Sequence, residues 1–129
     1  MFARLPLRLK MKKLPSFDDL MLPLIEALNA LGGSGSVEEI YYKVVELTGF
    51  SDEILAQLHD SEKSSLTEVG YRLAWARTYL KKFGFLENSS RGIWALTDKA
   101  RASQSFSQKE VVNFVRALDK PQNLLLLFD

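Results

Sequence analysis

Apolar residues return every three to four positions through most of this chain, and short polar clusters cut the pattern into segments. Ser16-Phe-Asp-Asp19 has the Ser-x-x-acid form of a capping box and opens DLMLPLIEALNAL. There Leu20, Leu24, Ala27, Leu28 and Leu31 share one helical face, and Pro23 predicts that the helix starts or kinks beside it. Gly32-Gly33-Ser34-Gly35 ends it. A second box, Ser36-Val-Glu-Glu39, opens a helix with Ile40, Val44 and Leu47 inward and Gly49 as its C-cap. Ser51 starts a short third segment with Leu55 and Leu58 facing in, and residues 61–65 read as a polar loop.

A long fourth helix follows, capped by Ser65 or Thr67 and running to about Phe83. On a helical wheel Val69, Leu73, Ala76, Leu80 and Phe83 form the core stripe. Tyr71, Ala74, Trp75, Thr78, Lys81 and Lys82 fall opposite, with Arg72 and Arg77 on the borders. After Gly84 the period shortens. Phe85-Leu-Glu87 and Ile93-Trp-Ala-Leu96 are strand-like, and Asn88-Ser-Ser-Arg-Gly92 between them predicts a hairpin loop. Thr97-Asp98 caps a short turn, and Ser107-Gln-Lys-Glu110 opens a last helix to about Leu118, followed by the apolar tail NLLLLFD.

This order predicts a mainly α fold with a small β-hairpin, a winged helix-turn-helix. In that architecture the helix before the hairpin enters the major groove and the hairpin lies against the backbone. Residues 1–13 read as a basic arm, 14–101 as the winged-helix domain, and 102–129 as an added helix and tail.

Composition narrows the chemistry. There are 129 residues and no cysteine, which excludes disulfides, thiolate zinc sites and cysteine nucleophiles. A reducing, cytoplasmic setting fits that composition, and the basic, Pro-interrupted start lacks the apolar run of a secretory signal. No apolar stretch approaches the roughly 18 residues that would suggest a membrane span. The net charge of +1 conceals blocks. Residues 1–15 hold five basic side chains and no acid, residues 16–62 ten acids against Lys43, and residues 63–101 eight basic against three acidic groups. His59 is the single histidine, so neither a metal site nor a catalytic triad is expected, and no cofactor either.

The expected DNA contacts are Arg91 at the wing tip with Ser89 and Ser90 beside it, and Tyr71, Trp75, Arg77, Thr78, Lys81 and Lys82 on the fourth helix. Arg72 and Arg77 are also candidates for bracing the acidic helices through ion pairs, Trp75 for packing, and Trp94 for the core.

The run GYRLAWARTYLKKFGFLENSSRGIWALT, with PSFDDLMLPLIEAL upstream, resembles the N-terminal domain of Mrr-type restriction proteins. Arg72, Trp75, Ala76, Arg77, Tyr79 and Leu80 carry the likeness in the helix, and Gly84, Gly92, Trp94, Leu96 and Thr97 in the hairpin. The resemblance implies double-stranded DNA recognition in a modification-dependent (type IV) restriction system. There, a second domain of the PD-(D/E)xK type cuts with magnesium. Residues 102–129 are too few for such a domain, so the chain is expected to bind and not to cut. Two other readings stay open. One is a homodimeric transcription regulator joined through Ser107–Leu118 and the tail. The other is a winged helix that binds protein, with residues 16–62 as its acidic working surface.

Overall fold

Helix α1 (Met21–Ala30) is the centre of the molecule, because Met21, Pro23, Leu24, Ile25, Glu26, Ala27 and Leu28 are all buried. The computed structural model describes residues 11–60 and 65–119. Strand β1 (Ser34–Ser36), helix α2 (Val37–Thr48), the single turn α3 (Asp52–Leu55) and the long helix α4 (Glu68–Phe83) follow. Strands β2 (Leu86–Ser90) and β3 (Ile93–Leu96), then helices α5 (Asp98–Ala102) and α6 (Gln108–Leu118), complete the chain. The fold is mainly α, with one three-stranded antiparallel sheet in the order β1-β3-β2, an arrangement compatible with a winged helix.

The helix starts follow capping chemistry. Ser36 accepts from the Glu39 amide while Glu39 accepts from the Ser36 amide, so both halves of the α2 box are made. Ser51, Thr67, Thr97 and Ser107 each accept from an amide three residues on. Gly84, with φ near +93°, ends α4 in the left-handed region that costs glycine little. Lys99 then donates to the Phe83 carbonyl and lies 4.2 Å from the Phe83 ring centroid, closing the same helix end with a cation.

The first helix departs from expectation. Ser16 does not cap it; its hydroxyl lies 2.6 Å and 2.9 Å from carboxylate oxygens of Asp18 and Asp19. A tight turn carries the chain through Leu20, and the regular helix begins at Met21. Pro23 thus falls in the first turn, where its missing N–H breaks no helical bond.

Strand β1 was not expected, because Ser-Gly-Ser has little strand propensity. Its partner supplies the reason: Gly35 faces Trp94 in the antiparallel register of β3. A Cβ on Gly35 would stand 2.9 Å from Leu31 Cδ1, so only glycine fits without a shift there. Leu58 was expected inside and is 43% exposed, whereas Ile54 is buried. Helix α3 ends after one turn, so helical spacing no longer applies at Leu58, which instead bridges to Thr67.

The α4 stripe of Val69, Leu73, Ala76, Leu80 and Phe83 is buried as expected. Val111, Val112 and Val115 of α6 belong to the same core. Gln108 donates to Asp19 across 2.7 Å, fixing the start of α6 against the turn before α1. Helix α6 is therefore part of this one body, and its valine face is already occupied within the chain. The tail at 123–129, residues 1–10 of the basic arm and most of the loop expected at 61–65 lie outside the described residues.

Candidate nucleic-acid interface

Helix α4 carries a core stripe on one side, so its remaining positions define a second face. The sequence LENSSRGIWAL builds the wing beside it. Strand β2 is longer than expected, reaching Ser90, and the turn narrows to Arg91-Gly92. Asn88 pairs with Trp94 and Ser90 with Ile93, which leaves Ser89 as an extra residue in a β-bulge. Gly92 has φ near +77°, the conformation that such a short reversal needs. Arg91 is exposed at the tip and has no hydrogen bond or ion pair among the described residues. Ser89 and Ser90 are exposed beside it.

Lys81 joins helix to wing. Its ammonium donates to Asn88 Oδ1 across 2.8 Å and stands 5.6 Å from the Trp94 ring centroid. Asn88 in turn donates to the Ile93 carbonyl, so one polar chain spans α4, β2 and β3. The Arg77 guanidinium lies 5.5 Å from the same Trp94 ring. Trp94 is half-buried against the core and serves as the surface on which both cations rest.

The other expected contacts fall in different places. Lys82 is exposed and points to Asp119 at the end of α6, 3.7 Å away. Thr78 donates to the Ala74 carbonyl within its own helix, leaving its oxygen free to accept. Tyr71 is half-buried and stacked on His59, with ring centroids 3.5 Å apart and planes within 13°. One face of Tyr71 is therefore covered. Trp75 is 45% exposed and meets Tyr79 edge-on, which itself packs against Phe17.

Two arginines expected on the borders of the stripe have separate fates. Arg72 pairs with Glu68 of its own helix and donates to the Pro15 carbonyl, so its ion pair is internal to α4 and does not brace the acidic helices as expected. Arg77 is only 9% exposed, and its Nε has no hydrogen-bond partner among the described residues. It forms no ion pair with the acidic helices. Burial lowers its pKa from the ordinary value, and the Glu38 charge opposes that shift.

A family model described as the Mrr N-terminal domain matches residues 17–105. The chain belongs to the Mrr N-terminal domain family. No curated protein and no solved structure matches it. The span matched by the Mrr N-terminal domain begins in the turn before α1 and closes just after α5, so it takes in α4 and the whole wing. Among the described residues of this domain no group of three His, Asp or Glu is placed to hold a metal ion, and no helix is long and apolar enough to cross a membrane.

The sequence did not disclose the roles of four residues. Asn88 was read as loop, yet its amide joins helix to wing. Trp94 was assigned to the core alone. Gly70 and Ala74 stand two turns and one turn before Arg77 on a single helical strip that continues to Lys81, and both line the open space towards α2. The i, i+4, i+7, i+11 spacing of Gly70, Ala74, Arg77 and Lys81 was the available signal.

Proposed function

We propose that this Mrr N-terminal domain binds double-stranded DNA, with the outer face of α4 in the major groove and the β2–β3 wing on the backbone. The observation that carries the reading is an exposed Arg91, without a polar partner among the described residues, on a wing that Lys81 and Asn88 tie to α4. A solvated arginine at a hairpin tip has little structural use. It is free to meet a phosphate or the minor groove. Lys81 and Lys82 add positive charge for phosphates, Thr78, Ser89 and Ser90 add polar atoms, and Trp75 offers an apolar face with an N–H.

Membership of the family supports recognition within a modification-dependent restriction system, in a cytoplasmic setting, with cleavage left to a separate nuclease domain. The domain itself acts as a binding module. Fluorescence anisotropy on a short duplex, methylated and unmethylated, across a salt series tests this. Wild type is compared with Arg91→Ala and with Lys81→Ala/Lys82→Ala. Each phosphate contact contributes about −0.9 to the slope of log affinity against log salt. Binding that is insensitive to salt, or absent at low salt, overturns the reading.

A further inference from the structure

Between α2 and α4 lies an open cavity of about 700 Å³, lined by Glu38, Tyr41, Tyr42, Gly70, Ala74 and Arg77 among others. That volume is in the range of small-molecule sites. Gly70 and Ala74 form part of its α4 wall. A Cβ at Gly70 alone would meet Thr67 Oγ1 at 3.1 Å and Leu66 Cδ1 at 3.2 Å.

The cavity wall has two chemical features. Arg77 is nine-tenths buried, has an orphan Nε, and makes no hydrogen bond among the described residues. A buried guanidinium is ordinarily hydrogen-bonded. Nε is itself closed off from the cavity, so the terminal nitrogens, which make no hydrogen bond among the described residues, are the donors that a ligand there would meet. Glu38 lines the same cavity, and no ion pair joins it to Arg77. A carboxylate beside the arginine repels a phosphate. It suits instead a neutral group with acceptors on one edge and an N–H on another. Tyr42 is 69% exposed and stands edge-on to Tyr41, with ring centroids 5.5 Å apart, so one tyrosine ring remains open to stacking. Planar shape, mixed donor and acceptor edges and a π-face are together the properties of a nucleobase.

We propose that this cavity receives a single nucleobase swung out of the duplex, its ring against Tyr42, an acceptor edge on Arg77 and an N–H on Glu38. This rests on the DNA-binding reading, because the cavity flanks the face of α4 assigned to the groove. Arg77 then does not serve as a backbone contact. Its stack on Trp94 holds the guanidinium in place and links an occupied cavity to the wing.

The test compares a fully paired duplex with one carrying a single central mismatch, whose base costs less to extrude. Wild type is expected to bind the mismatched duplex about tenfold more tightly, which corresponds to about 1.4 kcal/mol. Tyr42→Ala and Glu38→Gln change exposed side chains and are expected to abolish that preference while paired-duplex affinity holds. Arg77→Met is expected to lose the preference with an unchanged salt slope. A slope reduced by about 0.9 in Arg77→Met marks a phosphate contact and overturns the proposal. Duplex binding without a mismatch preference, or with one indifferent to all three variants, overturns it while leaving DNA binding intact. If neither duplex binds, both readings fall. Titration with the four nucleoside monophosphates separates the sources: saturable binding lost in Tyr42→Ala, with no duplex binding, assigns the cavity to a free nucleotide and overturns the duplex proposal.

Discussion

Lys81 donates its ammonium proton to Asn88 Oδ1 across 2.8 Å, which fixes the last turns of α4 to the wing. Asn88→Ala removes this tie without changing any charge. Affinity for duplex DNA is expected to fall about three- to tenfold with the salt slope unchanged, since the loss is one of preorganisation. Anisotropy measures both quantities. A reduced slope would show that Lys81 itself left a phosphate.

Arg91→Ala behaves in the opposite way. The side chain is exposed and has no polar partner among the described residues, so stability should stay within about 0.5 kcal/mol of wild type. The salt slope should drop by about 0.9. Urea denaturation beside the binding titration separates these effects.

Arg77→Met tests the buried cation. The substitution removes a desolvated charge that makes no hydrogen bond among the described residues, and loses its stack on Trp94. Apolar replacement of buried charge is often neutral or stabilising, and the lost stack is worth about 0.5–2 kcal/mol. Stability is therefore expected within about 1 kcal/mol of wild type, against a loss of about 2–5 kcal/mol for Leu80→Ala in the core. Chemical denaturation of both variants decides it. A loss above about 2 kcal/mol in Arg77→Met would make the guanidinium a structural anchor.

Glu68 gives the domain a response to acid. Burial raises its carboxyl, but hydrogen bonds from Arg72 and His59, with their charges, outweigh this and lower the pKa overall. A lowered folded value means that the stabilisation is present above the unfolded pKa, about 4.3, and is lost as pH falls through the folded one. Glu68→Gln should flatten the stability curve in that acid window. At neutral pH it should cost little, since an i,i+4 pair contributes about 0.3–0.5 kcal/mol. Thermal melts between pH 2.5 and 7 provide the measurement.

Helix α6 lies beyond the family match yet shares the core. Val115→Ala removes two methyl-sized groups from a fully buried position and should cost about 1.5–2.5 kcal/mol. A change below about 0.5 kcal/mol would mean that α6 docks separately from the rest.

Much of this protein could be read directly from its residue pattern. The caps at Ser36, Ser51, Thr67, Thr97 and Ser107 are local: a hydroxyl meets an amide three residues away, so the sequence alone specifies them. The α4 stripe and the hairpin are periodic signals of the same short range. What depends on distant partners was hidden. Ser34–Ser36 becomes a strand because β3 lies beside it, and Leu58 turns outward because α3 stops early.

The candidate interface divides along the same line. Arg91 at a hairpin tip follows from the order of residues, since a Gly-bearing polar loop between two apolar runs must reverse at the surface. The burial of Arg77 does not follow. A border position on a helical wheel is exposed or covered according to what packs beside it, and here the Trp94 ring lies against the guanidinium. Local chemistry determined the elements, the wing and the family; only the packing of α2, α4 and β3 decided which cation meets solvent and which is left buried beside an open cavity.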